Sequence, residues 1–167
     1  MSDLDSRFDK LKELISKLGF HAENLKKNEL RYITGGWFEE YIYQIIKNES
    51  KIEENFILLN PIISRNNVTN ELDVVVCYEN KIYLVECKTS TNTKNHNILL
   101  DTLYKQGALR KDFGLSVNSI VVILDEVNED NKKRTNYMNI KILDKPIVMD
   151  DEKFKKELLN ILGVKKI

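Results

Sequence analysis

The segment that most constrains the fold of this chain is residues 70–89, where two apolar runs flank a tight polar turn. Three charged residues interrupt these runs: Asp73, Glu86 and Lys88. A charge in a strand that is apolar on both faces is costly to bury unless it is paired, hydrogen-bonded or bound to a metal. The pattern therefore predicts an antiparallel hairpin with three charged side chains that need partners.

The composition predicts a single folded domain. The chain has 167 residues, of which 42% are hydrophobic and 31% charged, enough to form one core. No apolar run reaches the roughly 20 residues of a membrane span, and the acidic N-terminus lacks an apolar signal region. Cys77 and Cys87 lack zinc-site spacing and are interpreted as free thiols, so we expect a cytoplasmic protein.

The net charge is zero, which argues against non-specific binding of nucleic acid by the chain as a whole. Local basic clusters matter more, and Lys105, Arg110 and Lys111 lie within one predicted helix. We expect these three residues to contact phosphate.

Apolar spacing and turn residues predict the order helix, strand, hairpin, helix, strand, strand, helix. Helices are expected over 4–18, 37–47, 98–113 and 151–162, and strands outside the hairpin over 29–34, 56–63, 118–124 and 140–143, with Gly35-Gly36 breaking the chain. The helix at 98–113 is long enough to connect two parallel strands. This order predicts an α/β fold with a mixed sheet flanked by helices.

Strand alternation suggests a chemical role for the three charges. Glu86 and Lys88 lie on one face of the second strand, roughly 7 Å apart, and Asp73 starts the strand beside them. Two carboxylates at one point suit Mg²⁺ or Mn²⁺, and a lysine beside them can orient an attacking water. The alternative is a surface Glu86–Lys88 pair with Asp73 as a strand-start residue.

Asp73 with Glu86-x-Lys88 resembles the motif of the PD-(D/E)XK nuclease superfamily, although Leu72 stands where the motif has proline. The resemblance implies a restriction-endonuclease-like core in which Asp73 and Glu86 hold the metal. It also implies that the backbone carbonyl of Cys87 adds a ligand and that Lys88 assists the attacking water.

Two further segments extend this resemblance. Residues 35–41 resemble the first-helix motif of these nucleases, whose glutamate reaches the metal site; Glu39 is the predicted residue and Glu40 the alternative. Gln106 matches the position of a helical Gln or Lys that many of these enzymes carry.

Together these motifs resemble the nuclease domain that follows a CARF sensor in ancillary effectors of type III CRISPR defence. The resemblance implies a homodimeric endonuclease that cuts DNA, and in some members RNA, under control of a cyclic oligoadenylate sensor. A sensor domain needs on the order of 100–150 residues, whereas about 34 precede Gly35. We therefore expect residues 1–34 to form a helix and connector, and 35–167 the nuclease domain. The chain could be a stand-alone nuclease, be regulated by a partner protein or be an isolated domain.

Two alternatives stay open at this point. The same fold occurs in Holliday-junction resolvases and restriction-type endonucleases. It could also serve as a non-catalytic module for binding nucleic acid or for dimerisation.

Overall fold

A computed structural model describes residues 13, 15–17, 19, 25–65, 68–91, 97–113 and 116–164. Of the helix predicted over 4–18, residues 13 and 15–17 are helical, and the others lie outside the described residues. The chain divides into two compact units, residues 1–37 and 38–167. The predicted domain boundary, between residues 34 and 35, stays a prediction.

The described residues contain seven strands, all of them in the larger unit, and several helices. The helices are α1 (Lys27–Arg31), α2 (Trp37–Glu49), α3 (Ile98–Phe113), α4 (Glu129–Tyr137), α5 (Lys145–Val148) and α6 (Asp151–Leu162), of which α1 belongs to the smaller unit. The strands are β1 (Ile57–Leu59), β2 (Ile62–Arg65), β3 (Val68–Glu71), β4 (Val74–Tyr78), β5 (Lys81–Lys88), β6 (Val117–Ile123) and β7 (Ile140–Leu143).

Five strands form a mixed sheet in the order β1-β4-β5-β6-β7, and β2 and β3 form a separate two-stranded sheet. Strands β1, β4 and β5 pair antiparallel, whereas β5, β6 and β7 pair parallel. Helix α3 is the crossover between β5 and β6, as predicted. The expected mixed sheet flanked by helices is confirmed.

Helices cover both faces of this sheet. On one face, α2 and α6 bury Ile42 and Phe154 against side chains of β4, β5 and β6. On the other face, α3 buries Leu103 and Leu109 against β6 and β4–β5. The sheet is therefore an interior layer, which explains why its strands are apolar on both faces. Among the described residues, none of the helices combines the length and apolarity that a membrane span requires.

The turn of the β4–β5 hairpin consists of Glu79 and Asn80, whose φ angles are 48° and 61°. Positive φ at both central residues gives the turn a twist that matches the flanking strands. Tyr78 then pairs with Lys81, and Val74 with Val85. This register fixes which residues meet at the open end of the hairpin.

The strand predicted over 29–34 is wrong. Lys27–Arg31 are α-helical and Tyr32–Gly36 form a π-helical turn, so Gly35-Gly36 does not break the helical backbone. The Glu29 carboxylate accepts from the Lys26 N–H at 2.7 Å, and the Thr34 hydroxyl donates to the Leu30 carbonyl at 2.9 Å. The Glu29 bond caps the start of the helix, which favours helix over the strand that aromatic and β-branched residues suggested, and the Thr34 bond satisfies its hydroxyl within the π-helical turn.

The strand predicted over 56–63 is interrupted. β1 ends at Leu59, and Asn60 has a φ of 52° before Pro61, so β2 leaves the main sheet and pairs with β3 instead. Proline has no N–H for a sheet hydrogen bond, which explains the break.

Candidate active site

The open end of the β4–β5 hairpin gathers the predicted charged residues. Asp73 immediately precedes β4, and its carboxylate Oδ2 accepts from the Cys87 N–H at 2.7 Å. Asp73 is 9% exposed and Glu86 only 2%. The hairpin register therefore brings two buried carboxylates to one point.

The ammonium of Lys88 marks where the oxygen donors meet. Its Nζ lies 2.8 Å from Glu86 Oε1, 3.1 Å from the Cys87 carbonyl and 3.6 Å from Asp73 Oδ2. These three oxygens are among those that the sequence predicted as metal ligands. One positively charged atom is thus within reach of three of the four predicted ligands, and Glu39 is the fourth.

Helix α3 adds two more side chains to Glu86. Lys105 Nζ lies 3.1 Å from Oε1 and 3.2 Å from Oε2, and the Gln106 amide donates to Oε2 at 3.0 Å. The two residues are adjacent on a helix that packs on this face of the sheet. The sequence placed Gln106 here, but it assigned Lys105 to phosphate contacts rather than to the carboxylate.

The electrostatics of the cluster differ between its two carboxylates. Burial, together with the charges of Glu86 and Glu39, raises the pKa of Asp73 to about 6. Burial alone would raise the pKa of Glu86, but the ammonium groups of Lys88 and Lys105 lower it. Burial opposes the charge on Lys88, yet Glu86 and Asp73 raise its pKa. Glu86 and Lys88 are therefore charged at neutral pH.

Glu39, at the start of α2, is directed toward this cluster. Its charge contributes to the raised pKa of Asp73 and of the Cys87 thiol. Its Oε2 is buried and has no hydrogen-bond partner among the described residues. A buried carboxylate oxygen without a partner is rare and fits a water or cation as its missing partner. Between the two glutamates considered, Glu39 is the one with these links to Asp73.

The donor set fits a hard divalent cation. Carboxylate and carbonyl oxygens are the ligands that Mg²⁺ and Mn²⁺ prefer. Within the described residues, no three or more His, Cys, Asp or Glu side chains lie close enough together to hold a metal ion by themselves. The fit consequently rests on two carboxylates and one backbone carbonyl, with Glu39 further away.

The other two predicted basic residues lie outside this cluster. The Arg110 guanidinium donates to the carbonyls of Val117, Met138 and Asn139, at 3.2, 2.8 and 3.0 Å. These bonds tie α3 to β6 and to the turn before β7. Lys111 is exposed on the same helix. Phosphate contacts by these two residues stay predictions.

Asp125, which follows β6, holds the chain after the Glu86-x-Lys88 motif in place, and no sequence motif predicts this role. Its Oδ2 accepts from the Thr91 N–H at 2.9 Å and from the hydroxyls of Thr91 and Ser90, both at 3.1 Å. The backbone hydrogen bond from Thr91 contributes most to lowering the pKa of Asp125. The parallel β5–β6 pairing brings these loops together, a contact 34 residues apart in the chain.

A mixed sheet with Asp and Glu-x-Lys side by side at one end of its central hairpin defines a PD-(D/E)XK-type nuclease core. Sequence comparison identifies one family within this class of nucleases. The model of the Card1-like endonuclease domain matches residues 26–161, most of the chain. The chain belongs to this family, which confirms the predicted resemblance to CRISPR-associated nucleases. No match was found among curated proteins.

Two solved structures are similar to this chain. Can2 from Sulfobacillus thermosulfidooxidans, solved in complex with cyclic tetra-adenylate, is 29% identical with a TM-score of 0.67 over 81% of this chain. VC1899 from Vibrio cholerae is 24% identical with a TM-score of 0.61 over 83% of this chain, and supports the fold alone. The matches span 38% and 36% of those two chains.

Proposed function

We propose that this nuclease is a divalent-metal-dependent endonuclease that hydrolyses phosphodiester bonds in DNA, with RNA as a second candidate substrate. The observation that carries the proposal is the convergence of Asp73, Glu86 and the Cys87 carbonyl on one cation, the Lys88 ammonium. Asp73, Glu86 and the Cys87 carbonyl would hold Mg²⁺ or Mn²⁺. When bound, such an ion supplies Lewis acidity at a phosphoryl oxygen and at water.

The remaining residues act around that point. Lys88 orients the attacking water and stabilises the negative charge that develops in the transition state. The Gln106 amide holds Oε2 of Glu86 and so fixes the orientation of this carboxylate. The unpartnered Oε2 of Glu39 is available to hold a water next to Asp73.

We also propose that the enzyme acts as a homodimer and responds to a sensor. Symmetric cutting of two strands requires two active sites, which a two-fold dimer supplies. The similar Can2 structure carries cyclic tetra-adenylate, so a sensor of cyclic oligoadenylate is the regulator to test. Light scattering with and without cyclic tetra-adenylate and candidate sensor proteins would measure both mass and response; a monomer that cuts both strands would contradict the dimer.

The test of the proposed activity is cleavage of matched single- and double-stranded DNA and RNA in Mn²⁺ or in chelator. We expect cutting with Mn²⁺ and none with chelator. Lys88→Met should abolish cutting, whereas Lys156→Met, at an exposed lysine of α6, should retain it. Equal cutting by wild type and Lys88→Met, or cutting in chelator, would contradict the proposal.

A further inference from the structure

The Glu86 carboxylate accepts hydrogen bonds from two ammonium groups and one amide, and these donors occupy the oxygen atoms that a metal ion would use. Oε1 accepts from Lys88 and Lys105, and Oε2 accepts from Lys105 and Gln106. A carboxylate has about four lone-pair sites, so these four contacts saturate it. Any further ligand must displace one of the donors.

Among these donors, Lys105 is held least. Lys88 also contacts the Cys87 carbonyl, and Gln106 is 1% exposed. The Lys105 side chain is 36% exposed, and within the part of the chain that the structure describes its other contact is a long one, 3.4 Å from Nζ to the Glu71 carbonyl. A lysine with a flexible stem beside solvent can move its ammonium into water at small cost.

A cation at the convergence point also displaces the Lys88 ammonium. Among the described residues, the anionic groups within reach of Lys88 are Asp73 and Glu86, and it already shares Oε1 of Glu86 with Lys105. Two ammonium groups and a divalent ion around one carboxylate repel each other strongly in a buried site. The departure of Lys105 relieves this repulsion and leaves Glu86 to Lys88, Gln106 and the ion.

We propose that Lys105 is an internal counter-cation of the metal-free site: it opposes metal binding, and once displaced it contacts substrate phosphate. This inference rests on the proposed metal-dependent activity. It makes Lys105 a positioning residue with two alternative anionic partners, and it couples metal binding to nucleic-acid binding.

The first test is titration calorimetry of Mn²⁺ into the full chain. Lys105→Met should bind Mn²⁺ on the order of tenfold more tightly than wild type, because a partly exposed ion pair no longer has to be broken. Lys105→Gln, which keeps a donor without the charge, should behave like Lys105→Met. Lys105→Arg should remain near wild type, as should Lys156→Met, which removes one positive charge elsewhere.

Equal or weaker Mn²⁺ binding by both Lys105→Met and Lys105→Gln would overturn the inference, since a merely structural role predicts that result. Circular dichroism of each variant confirms that it is folded. If wild type binds and cuts with Mn²⁺ while the variants bind no tighter, only the inference fails. If neither the wild type nor the variants bind Mn²⁺, both the inference and the proposed metal-dependent function fail.

The second test measures DNA binding against salt, with Ca²⁺ or with chelator. With Ca²⁺, Lys105→Met should bind duplex DNA with a salt slope smaller in magnitude by about 0.9 than wild type, the loss of one phosphate contact. In chelator, where Lys105 stays on Glu86, the two slopes should agree. Equal slopes in Ca²⁺ would contradict the phosphate contact.

Discussion

On one face of β5, Tyr83, Val85 and Cys87 pack into the apolar layer formed by α2 and α6. On the other face, Leu84 joins a smaller apolar cluster, and Glu86 next to it is surrounded by two lysines and a glutamine. Apolar burial stabilises the first face at roughly 25 cal/mol per Å². On the second face the charged residues themselves add little stability, because the desolvation of buried ions offsets most of their attraction. One strand therefore has a face that is apolar throughout and a face on which apolar packing lies next to the charged site.

The largest expected effect is on the polar face. We expect Glu86→Gln to reduce Mn²⁺-dependent cleavage about a thousandfold, because a ligand charge worth several kcal/mol in the transition state is lost. Its unfolding free energy in chelator should fall by about 1–3 kcal/mol, because Lys88 and Lys105 lose their anionic partner, while Asp73 is relieved of a neighbouring like charge. Cleavage rates and urea unfolding on one preparation measure both. A larger loss of stability would show that the polar face also holds the fold.

The matching change on the apolar face should have the reverse pattern. Leu158 of α6 is fully buried in the layer against the sheet. Leu158→Ala should lower the unfolding free energy by about 3 kcal/mol through lost burial and a cavity. Its Mn²⁺ affinity, measured by calorimetry well below the unfolding temperature, should equal that of wild type. A weakened affinity would mean that the two faces are coupled.

A smaller effect is expected at Gln106 of α3, whose side-chain amide donates to Glu86 Oε2, its one hydrogen bond among the described residues. Gln106→Met keeps the volume but removes the donor to Oε2. We expect kcat to fall about tenfold, with Mn²⁺ affinity weakened by a comparable or smaller factor, as for residues that orient metal ligands. Gln106→Glu should be worse, since it adds a negative charge beside Glu86. Unchanged kcat in Gln106→Met would remove Gln106 from the site.

The smallest effect is a pH dependence of stability in chelator. The folded pKa of Asp73, about 6, exceeds its unfolded value of 3.8, so the folded state binds more protons between these values. Stability from this group is therefore lost as pH rises, by about 1 kcal/mol between pH 5 and 7. Asp73→Asn should remove this part of the pH dependence. Glu86, with its lowered pKa, acts in the opposite direction, but below pH 5. A wild-type curve that matches Asp73→Asn would contradict the raised pKa.

The parts of the fold that the sequence predicted well have strong local signals. Two apolar runs around Glu79-Asn80 predict the hairpin, and antiparallel pairing alone predicts that Asp73 lies beside Glu86, as the observed register shows. α3 and α6 have the predicted bounds, because apolar spacing and end residues agree along each. β7 likewise begins and ends as predicted.

The parts that it missed lack such signals. α4 buries only Thr135, so its charged sequence shows no apolar face. β2 and β3 form a polar ribbon whose pairing depends on the break at Asn60-Pro61. Lys105 is predicted to contact phosphate, whereas its ammonium lies on the Glu86 carboxylate. The sequence alone does not determine how far, or in which direction, a flexible lysine side chain extends from its helix.

The hairpin also has a consequence for how the site assembles during folding. The Asp73 carboxylate and the Cys87 N–H are only 14 residues apart, joined by a two-residue turn. Hairpins of this kind close in about 1–10 μs, whereas the parallel β5–β6 pairing must wait for the whole α3 crossover. The carboxylates thus come together in one local event, and the lysine and glutamine of α3 arrive later. Segments outside the hairpin can therefore change in length without separating Asp73 from Glu86.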